Sequence, residues 1–96
     1  MKRFVYLISP KQIYKNFYDD LKKILASNNV KYFQLRFKKI SSKKIIKIAN
    51  KVKAITKKYQ VKLIINDNPI IAAKVKADGC HIGQSDMSIS KTKKYI

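Results

Sequence analysis

Apolar residues along the chain recur with two different periods, and these periods alternate. Four short runs rich in β-branched and aromatic residues predict strands. The runs are residues 3–8, 31–36, 61–65 and 80–82. Ser9-Pro10 follows the first run and Asn66-Asp67-Asn68-Pro69 follows the third, and proline-containing turns of this kind are typical strand stops. The pattern therefore predicts four short strands.

Between the strands, apolar residues are spaced by three and four, which is the period of one helix face. The first stripe predicts a helix from Gln12 to about Ser27. The second predicts a helix through residues 45–59, with Ser41-Ser42 as its cap. Pro69 predicts the first residue of a short third helix that ends near Val75. The segment from Ser88 or Ser90 to Ile96 predicts the capped first turns of a fourth helix.

This alternation of strand and helix determines the fold class that we expect. Strands separated by helices cannot form tight hairpins, so they pair in parallel through helical crossovers. The chain has 96 residues and no linker or low-complexity tract. We therefore expect a single α/β domain over residues 1–96, with a thin core.

Charge is the most uneven feature of the composition. Lysine and arginine number 23 against five aspartates, for a formal net charge of +18. An anionic partner is expected, and the 46% hydrophobic content excludes a disordered basic tail. The lone Cys80 cannot form an internal disulfide, and the apolar run after Met1 is too short for a signal peptide or a membrane span. These features predict a cytoplasmic protein with no membrane partner.

Polar residues that could bind an anion follow the second predicted strand. Gln34, Arg36 and Lys38 alternate with apolar residues. Period two would place all three on one side of an extended segment, where an amide and two cations could contact a phosphorylated ligand. The simpler alternative is that Arg36 and Lys38 are two solvated cations among many.

Carboxylates follow the third and fourth predicted strands. Asp67 ends the third strand beside Asn66, and Asp86 lies in the sequence Gly-Gln-Ser-Asp after the fourth. Two carboxylates at neighbouring strand ends could hold Mg²⁺, which retains waters and bridges to phosphate oxygens. The alternative is that Asn66 to Pro69 is a plain turn and Asp86 a helix cap.

Both glycines of the chain flank the fourth predicted strand. Gly79 and Gly83 indicate tight backbone on either side of Cys80 and His81. A ligand could approach the backbone there. His81 could face the interior or donate to a ligand, but a lone histidine on a short strand is more simply interpreted as a structural residue, and Cys80 as a packing residue.

Three segments together carry a family resemblance. They are Gln34-Leu-Arg-Phe-Lys38, Leu63-Ile-Ile-Asn-Asp67 and the eleven residues from Ala77 to Met87. In order and spacing they resemble the thiamine-phosphate synthase family. The third segment is the specific one, and the resemblance extends over residues 3–96.

The resemblance implies a (β/α)₈ barrel that joins hydroxymethylpyrimidine diphosphate to thiazole phosphate and releases pyrophosphate. It implies that Gln34, Arg36, Lys38 and Asn66 contact the pyrimidine diphosphate, and that Asp67 and Asp86 bind Mg²⁺. Arg36 and Lys38 would have the catalytic role of stabilising the leaving pyrophosphate.

The resemblance covers about four of the eight βα units of such a barrel. We therefore expect a truncated synthase, a half-barrel with the first and fourth strands as exposed edges. Such edges favour self-association or pairing with a second chain. Diphosphate binding with little turnover is expected of this chain alone.

Two other functions stay open at this stage. A thiazole-phosphate aromatising isomerase belongs to the same superfamily, but it would not require the Asn66, Asp67 and Asp86 set. A nonspecific basic nucleic-acid-binding protein would explain the charge. The lysines, however, are spread over every predicted helix, and no aromatic stacking platform is visible.

Overall fold

The structure is a computed structural model that describes residues 4–82 and the backbone of residues 91–95. Strands and helices alternate through the first of these segments. The strands are β1 (Phe4–Ile8), β2 (Val30–Leu35), β3 (Lys62–Asn66) and β4 (Gly79–His81), and β5 (Lys91–Tyr95) follows. The helices are α1 (Phe17–Ser27), α2 (Ser42–Lys58) and α3 (Pro69–Lys74). The predicted α/β class and its first four strands are confirmed.

The strands form one parallel sheet in the order β4-β3-β2-β1-β5. Tyr32 of β2 lies beside Tyr6 of β1 on one side and Lys62 of β3 on the other. Because β1 to β4 are neighbours in chain order, right-handed crossovers place all three helices on the same face of the sheet. The other face of the sheet carries no helix of the described chain. This is the arrangement of consecutive units of a barrel wall, with the helix-free face inward.

Strand β5 is a correction to the predicted fourth helix. Lys91–Tyr95 pairs in parallel with Phe4–Ile8, whereas the sequence predicts helix for the end of the chain. The predicted caps, Ser88 and Ser90, lie outside the described residues. The reason is that β1 otherwise leaves a row of backbone N–H and C=O groups unpaired, which an extended segment can satisfy and a helix cannot. The prediction that β1 is an edge strand is also wrong, while β4 lies at an edge of the described sheet.

Helix α1 starts later than predicted. It begins at Phe17, and Ile13 packs against the core from the preceding loop. The Phe17 backbone N–H donates to the carbonyl of Tyr14 at 3.1 Å, which forms a turn ahead of the helix. Asp19 and Asp20 occupy the first turn, where the helix dipole favours negative charge.

Helix α2 starts at its predicted cap, and α3 starts at the predicted Pro69. The Ser41 hydroxyl accepts the Lys44 backbone N–H at 3.2 Å. The Asn68 side-chain oxygen accepts the Ile71 N–H at 3.0 Å, and Pro69 is the first helical residue. Each cap satisfies a backbone donor that the first helical turn leaves unpaired.

The core lies between the helices and one face of the sheet. Within it, the ring of Phe17 packs against several other aromatic rings. The Phe17 ring is fully buried, 6.3 Å from the ring of Phe33 and 5.5 Å from that of Phe37. Leu21 and Leu25 continue the same face of α1 at intervals of four residues. The apolar stripe read from the sequence is therefore the buried stripe of α1.

No described helix is both long enough and apolar enough to cross a membrane.

We predict that Leu21→Ala lowers the free energy of unfolding by about 3 kcal/mol, because it removes a fully buried side chain and leaves a cavity. Ile70→Ala is the matched control, since Ile70 is 70% exposed and its loss should change stability by less than about 0.5 kcal/mol. Urea unfolding at constant m-value measures both. Equal losses in the two variants would contradict the assignment of this face of α1 to the core.

Candidate functional site

The candidate site lies where the parallel strands end. The carboxyl ends of β2 and β3 and the starts of α2 and α3 enclose a cleft of about 190 Å³. Lys38, Asn66 and Asp67 line its polar part, and Leu35 and Ile65 line its apolar part. This edge is where open α/β sheets and barrels place their ligands.

An ion pair crosses the cleft between the loops after β2 and β3. Lys38 Nζ lies 3.2 Å from Asp67 Oδ2, and the two side chains are 43% and 51% exposed. They are 29 positions apart in the sequence, so the sheet alone brings them together. A half-exposed pair contributes roughly 0–1 kcal/mol to stability. The pair therefore places a cation and a carboxylate within reach of one ligand at little cost to the fold.

The backbone around Asp67 holds its carboxylate at this edge. Asp67 has a φ of 58°, which aspartate tolerates better than most residues. Its N–H donates to the His81 carbonyl at 2.7 Å, which ties the turn to β4. Asn66 Nδ2 donates to Asp67 Oδ2 at 3.2 Å, and Asn68 caps α3. The predicted turn and the predicted polar site are thus the same residues.

Gln34 lies on the helix-free face of the sheet. It alternates with Phe33 and Leu35, which face the helices in the core. Gln34 is only 4% exposed, and its Nε2 donates to the Tyr6 hydroxyl at 2.9 Å. The ring of Tyr6 in turn stacks on Tyr32 at 5.6 Å. The amide of Gln34 is therefore held by a buried partner, which fixes its orientation.

Burial raises the pKa of the Tyr6 phenol above its ordinary value of 10.0. The hydrogen bond with Gln34 opposes this shift, and the neighbouring Tyr32 adds to it. The phenol is accordingly neutral at physiological pH.

Arg36 lies just beyond the end of β2. Its backbone N–H donates to the Ser9 hydroxyl at 2.8 Å, and that hydroxyl donates to the Pro10 carbonyl at 3.0 Å. Ser9, which is buried, also donates its own N–H to the Gln34 carbonyl at 2.9 Å. The end of β1 therefore anchors the segment that carries Gln34 and Arg36.

Sequence reasoning missed Tyr6 and Ser9 as parts of this site. Both lie in or directly after β1, and alternation places Tyr6 on the face opposite Leu7. A tyrosine in that position is a signal that could have been used, because a buried hydroxyl requires a hydrogen-bond partner. Ser9 carries no such signal, since a serine before proline is ordinary turn chemistry.

The structure brings together some of the predicted site residues and leaves others outside its description. Lys38, Asn66 and Asp67 meet in the cleft. Gln34 lies at the same end of the sheet but on its helix-free face, and neither Gln34 nor Arg36 lines the cleft. Asp86 and Gly83 lie outside the described residues.

In β4, Cys80 and Gly79 both contact neighbouring side chains of the fold. Cys80 is partly buried against the core. A Cβ atom on Gly79 would lie 3.0 Å from Ile64 Cδ1, which is tighter than ordinary van der Waals contact. A larger residue at position 79 would therefore require the Ile64 side chain to shift.

Within the described residues, no group of three or more histidine, cysteine or acidic side chains could hold a metal ion. Mg²⁺ does not require such a cage, since it binds through one or two carboxylates, retained waters and substrate phosphates. The carboxylate of Asp67 is half-exposed and adjoins the amide of Asn66. These oxygen donors fit Mg²⁺ when a phosphorylated ligand supplies further oxygens.

Comparison with known proteins gives one consistent result. A family model described as thiamine monophosphate synthase matches residues 5–96. A thiamine-phosphate synthase from Pelagibacter ubique is 49% identical over 96 residues, covering 99% of this chain and 46% of that protein. One from Clostridium tetani is 42% identical over 95 residues, covering 96% of this chain and 44% of that protein.

A solved structure shares the fold. The thiamine phosphate pyrophosphorylase from Pyrococcus furiosus superposes with a TM-score of 0.74 at 21% identity, covering 88% of this chain and 41% of that one. The half-barrel architecture expected from the resemblance agrees with this superposition. The chain spans less than half the length of the curated relatives that it matches.

We predict that Tyr6→Phe lowers the free energy of unfolding at pH 7 by about 1–3 kcal/mol, because the buried Gln34 amide loses its acceptor. The raised pKa of Tyr6 sets the direction in which the free energy of unfolding changes with pH. Its stabilising contribution is complete below pH 10 and is lost as the pH rises through the folded-state pKa. The difference between wild type and variant should therefore shrink above pH 10.

Denaturant unfolding between pH 7 and pH 11 measures this difference, and Tyr14→Phe is the control. Tyr14 donates to Asp20 at 2.9 Å on the surface, so its variant should lose less than about 1 kcal/mol. A Tyr6 variant that is as stable as wild type at pH 7 would contradict the buried hydrogen bond.

Proposed function

The chain belongs to the thiamine monophosphate synthase family, and we propose that its strand ends bind the pyrimidine diphosphate in the thiamine-phosphate synthase reaction. The observation that supports this most directly is the Lys38–Asp67 pair across the cleft. A cation for phosphate oxygens and a carboxylate for a divalent ion are the two groups that a metal-bound diphosphate requires.

The proposed reaction is a displacement at the methylene carbon that joins the pyrimidine to its diphosphate. The carbon–oxygen bond breaks and its electron pair leaves with pyrophosphate, while the thiazole nitrogen supplies the pair for the new carbon–nitrogen bond. Negative charge accumulates on the leaving pyrophosphate as the bond stretches. Groups that stabilise this charge more strongly in the transition state than in the bound substrate accelerate the step.

Arg36 and Lys38 have that role in our proposal. Both follow β2 at the edge where Gln34 is anchored to Tyr6. Lys38 is half-exposed, so an arriving ligand would displace water from it. The attraction between its ammonium group and the phosphate would then become stronger, because the local dielectric constant falls. Gln34 and Asn66 would contact the substrate as hydrogen-bonding amides.

Asp67, together with Asp86, would hold Mg²⁺ in this proposal. When bound, the ion would neutralise phosphate charge and assist departure of the pyrophosphate. The role of this chain is to present the carboxylate of Asp67 at the strand end, where Lys38 and the left-handed backbone hold it.

Thiazole phosphate would be the second phosphorylated substrate, and no described residue is assigned to it. A reducing cytoplasm suits the free Cys80. The outer edge of β4 carries backbone groups that could pair with a second copy or a second chain.

We predict opposite effects of two variants on diphosphate affinity. Asp67→Asn should lose the gain in affinity that Mg²⁺ provides, about tenfold, yet bind the Mg²⁺-free diphosphate at least as well as wild type, because a negative charge has gone. Lys38→Gln should bind the Mg²⁺-free diphosphate more weakly, because it removes the cation. Calorimetric titration of wild type and both variants with pyrimidine diphosphate, with and without Mg²⁺, measures these affinities.

Asp19→Asn is the matched control, since Asp19 is an exposed acid in the first turn of α1. Asparagine tolerates the left-handed backbone of residue 67, so Asp67→Asn should change stability by less than about 1 kcal/mol. The proposal fails if wild type does not bind the diphosphate, or if Asp19→Asn abolishes the Mg²⁺ effect as fully as Asp67→Asn does.

A further inference from the structure

A second cleft lies at the opposite end of the sheet from the candidate site. It is formed by the last turns of α2, the start of β3 and the loop before β4, and its volume is about 410 Å³. Parallel strands begin at this end, so the cleft is separated from Lys38 and Asp67 by the length of β3. Its size falls within the range of roughly 300–1,000 Å³ that is typical of small-molecule sites.

Lysine is the dominant residue type of this cleft. Lys53, Lys57, Lys62 and Lys76 line it, and Asp78 is its one acidic residue. None of these four lysines lies within ion-pair distance of a carboxylate in the described chain. Four cations around one concavity repel one another and raise the local positive potential.

Three polar groups of the cleft, those of Asp78, Lys53 and Thr56, form hydrogen bonds within the fold. The Asp78 carboxylate accepts the Leu63 backbone N–H at 2.7 Å, so it completes the start of the sheet. Its negative charge offsets one of the four lysine charges, and the cleft keeps a net positive charge. Lys53 Nζ donates to the Val75 carbonyl at 3.1 Å, which holds that ammonium in the wall of the cleft. Thr56 is 1% exposed, and its hydroxyl donates to the Lys53 carbonyl at 3.1 Å.

The C-terminal end of α2 also adjoins the cleft, and lysines at such an end compensate the helix dipole. That dipole amounts to about half a negative charge. Lys57 lies in the last turn of α2 and could satisfy it alone. Lys62 and Lys76 belong to β3 and to the loop after α3, so they exceed what the helix end needs.

We infer that this cleft binds a compact polyphosphate anion. An ammonium group binds phosphate as a point charge, and several of them around one concavity match an anion of several charges. A nucleic-acid backbone instead binds along an extended basic groove with aromatic stacking positions. The inference concerns a different end of the molecule from the proposed synthase site and does not depend on it.

Heteronuclear NMR of the 96-residue chain tests the inference with inorganic triphosphate, in Mg²⁺-free buffer at physiological ionic strength. The amides of Gln60, Lys62 and Lys76 should shift in a saturable way. Binding at the other end of the sheet would instead shift Asn66 and Asp67, so the two sites are read separately. Diffuse attraction to the whole charged surface would shift residues on every helix without saturation, and that result would overturn the inference.

Matched double variants then isolate the cleft. Lys57→Gln with Lys62→Gln removes two exposed lysines of the cleft and should weaken triphosphate binding about tenfold. Lys43→Gln with Lys47→Gln removes the same charge from exposed positions at the start of α2 and should change affinity less than twofold. Equal losses in the two double variants, or binding of duplex DNA with no saturable binding of triphosphate, would overturn the inference.

Discussion

The structure depends on the burial of one face of a parallel sheet beneath three helices. Phe17 of α1 packs its ring near Phe33 of β2, and Leu63 of β3 is buried in the same cluster. This apolar layer is the main source of stability in the described chain, because surface pairs contribute little. All three helices lie on the same side of the sheet, because each crossover is right-handed. The other face of the sheet is left to polar and aromatic residues such as Gln34 and Tyr6.

Parallel pairing then brings the functional groups together at the carboxyl ends of the strands. Two kinds of interaction are found there, and they differ in physical character. The Gln34–Tyr6 hydrogen bond is buried, so it fixes one geometry and is costly to break. The Lys38–Asp67 ion pair is half-exposed, so it is weak and can be exchanged for a ligand. The two interactions therefore give this end of the sheet one rigid element and one that a ligand could displace.

The charge of the chain is better understood by location than by its total of +18. At the carboxyl ends of the strands, Lys38 is matched by Asp67 and the cleft is mixed in sign. At the opposite end, Lys53, Lys57 and their neighbours have no carboxylate of the described residues within ion-pair distance. Because lysines far outnumber aspartates, the positions of the few acidic residues decide which lysines are neutralised. The two clefts therefore differ in chemistry although one sheet builds both.

The sequence alone determined the α/β class, the four βα strands, the starts of α2 and α3, and the residues that carry the family resemblance. These follow from periodicity and local caps, which act over a few neighbouring positions. Tertiary structure decided the late start of α1, the pairing of β5 with β1, and the partners of Gln34 and Lys38. Each of these depends on residues far apart in the chain, as the 28 positions between Tyr6 and Gln34 illustrate. Hydrogen bonds and ion pairs of that range leave no periodic signal, since they exist only once the sheet has brought the strands side by side.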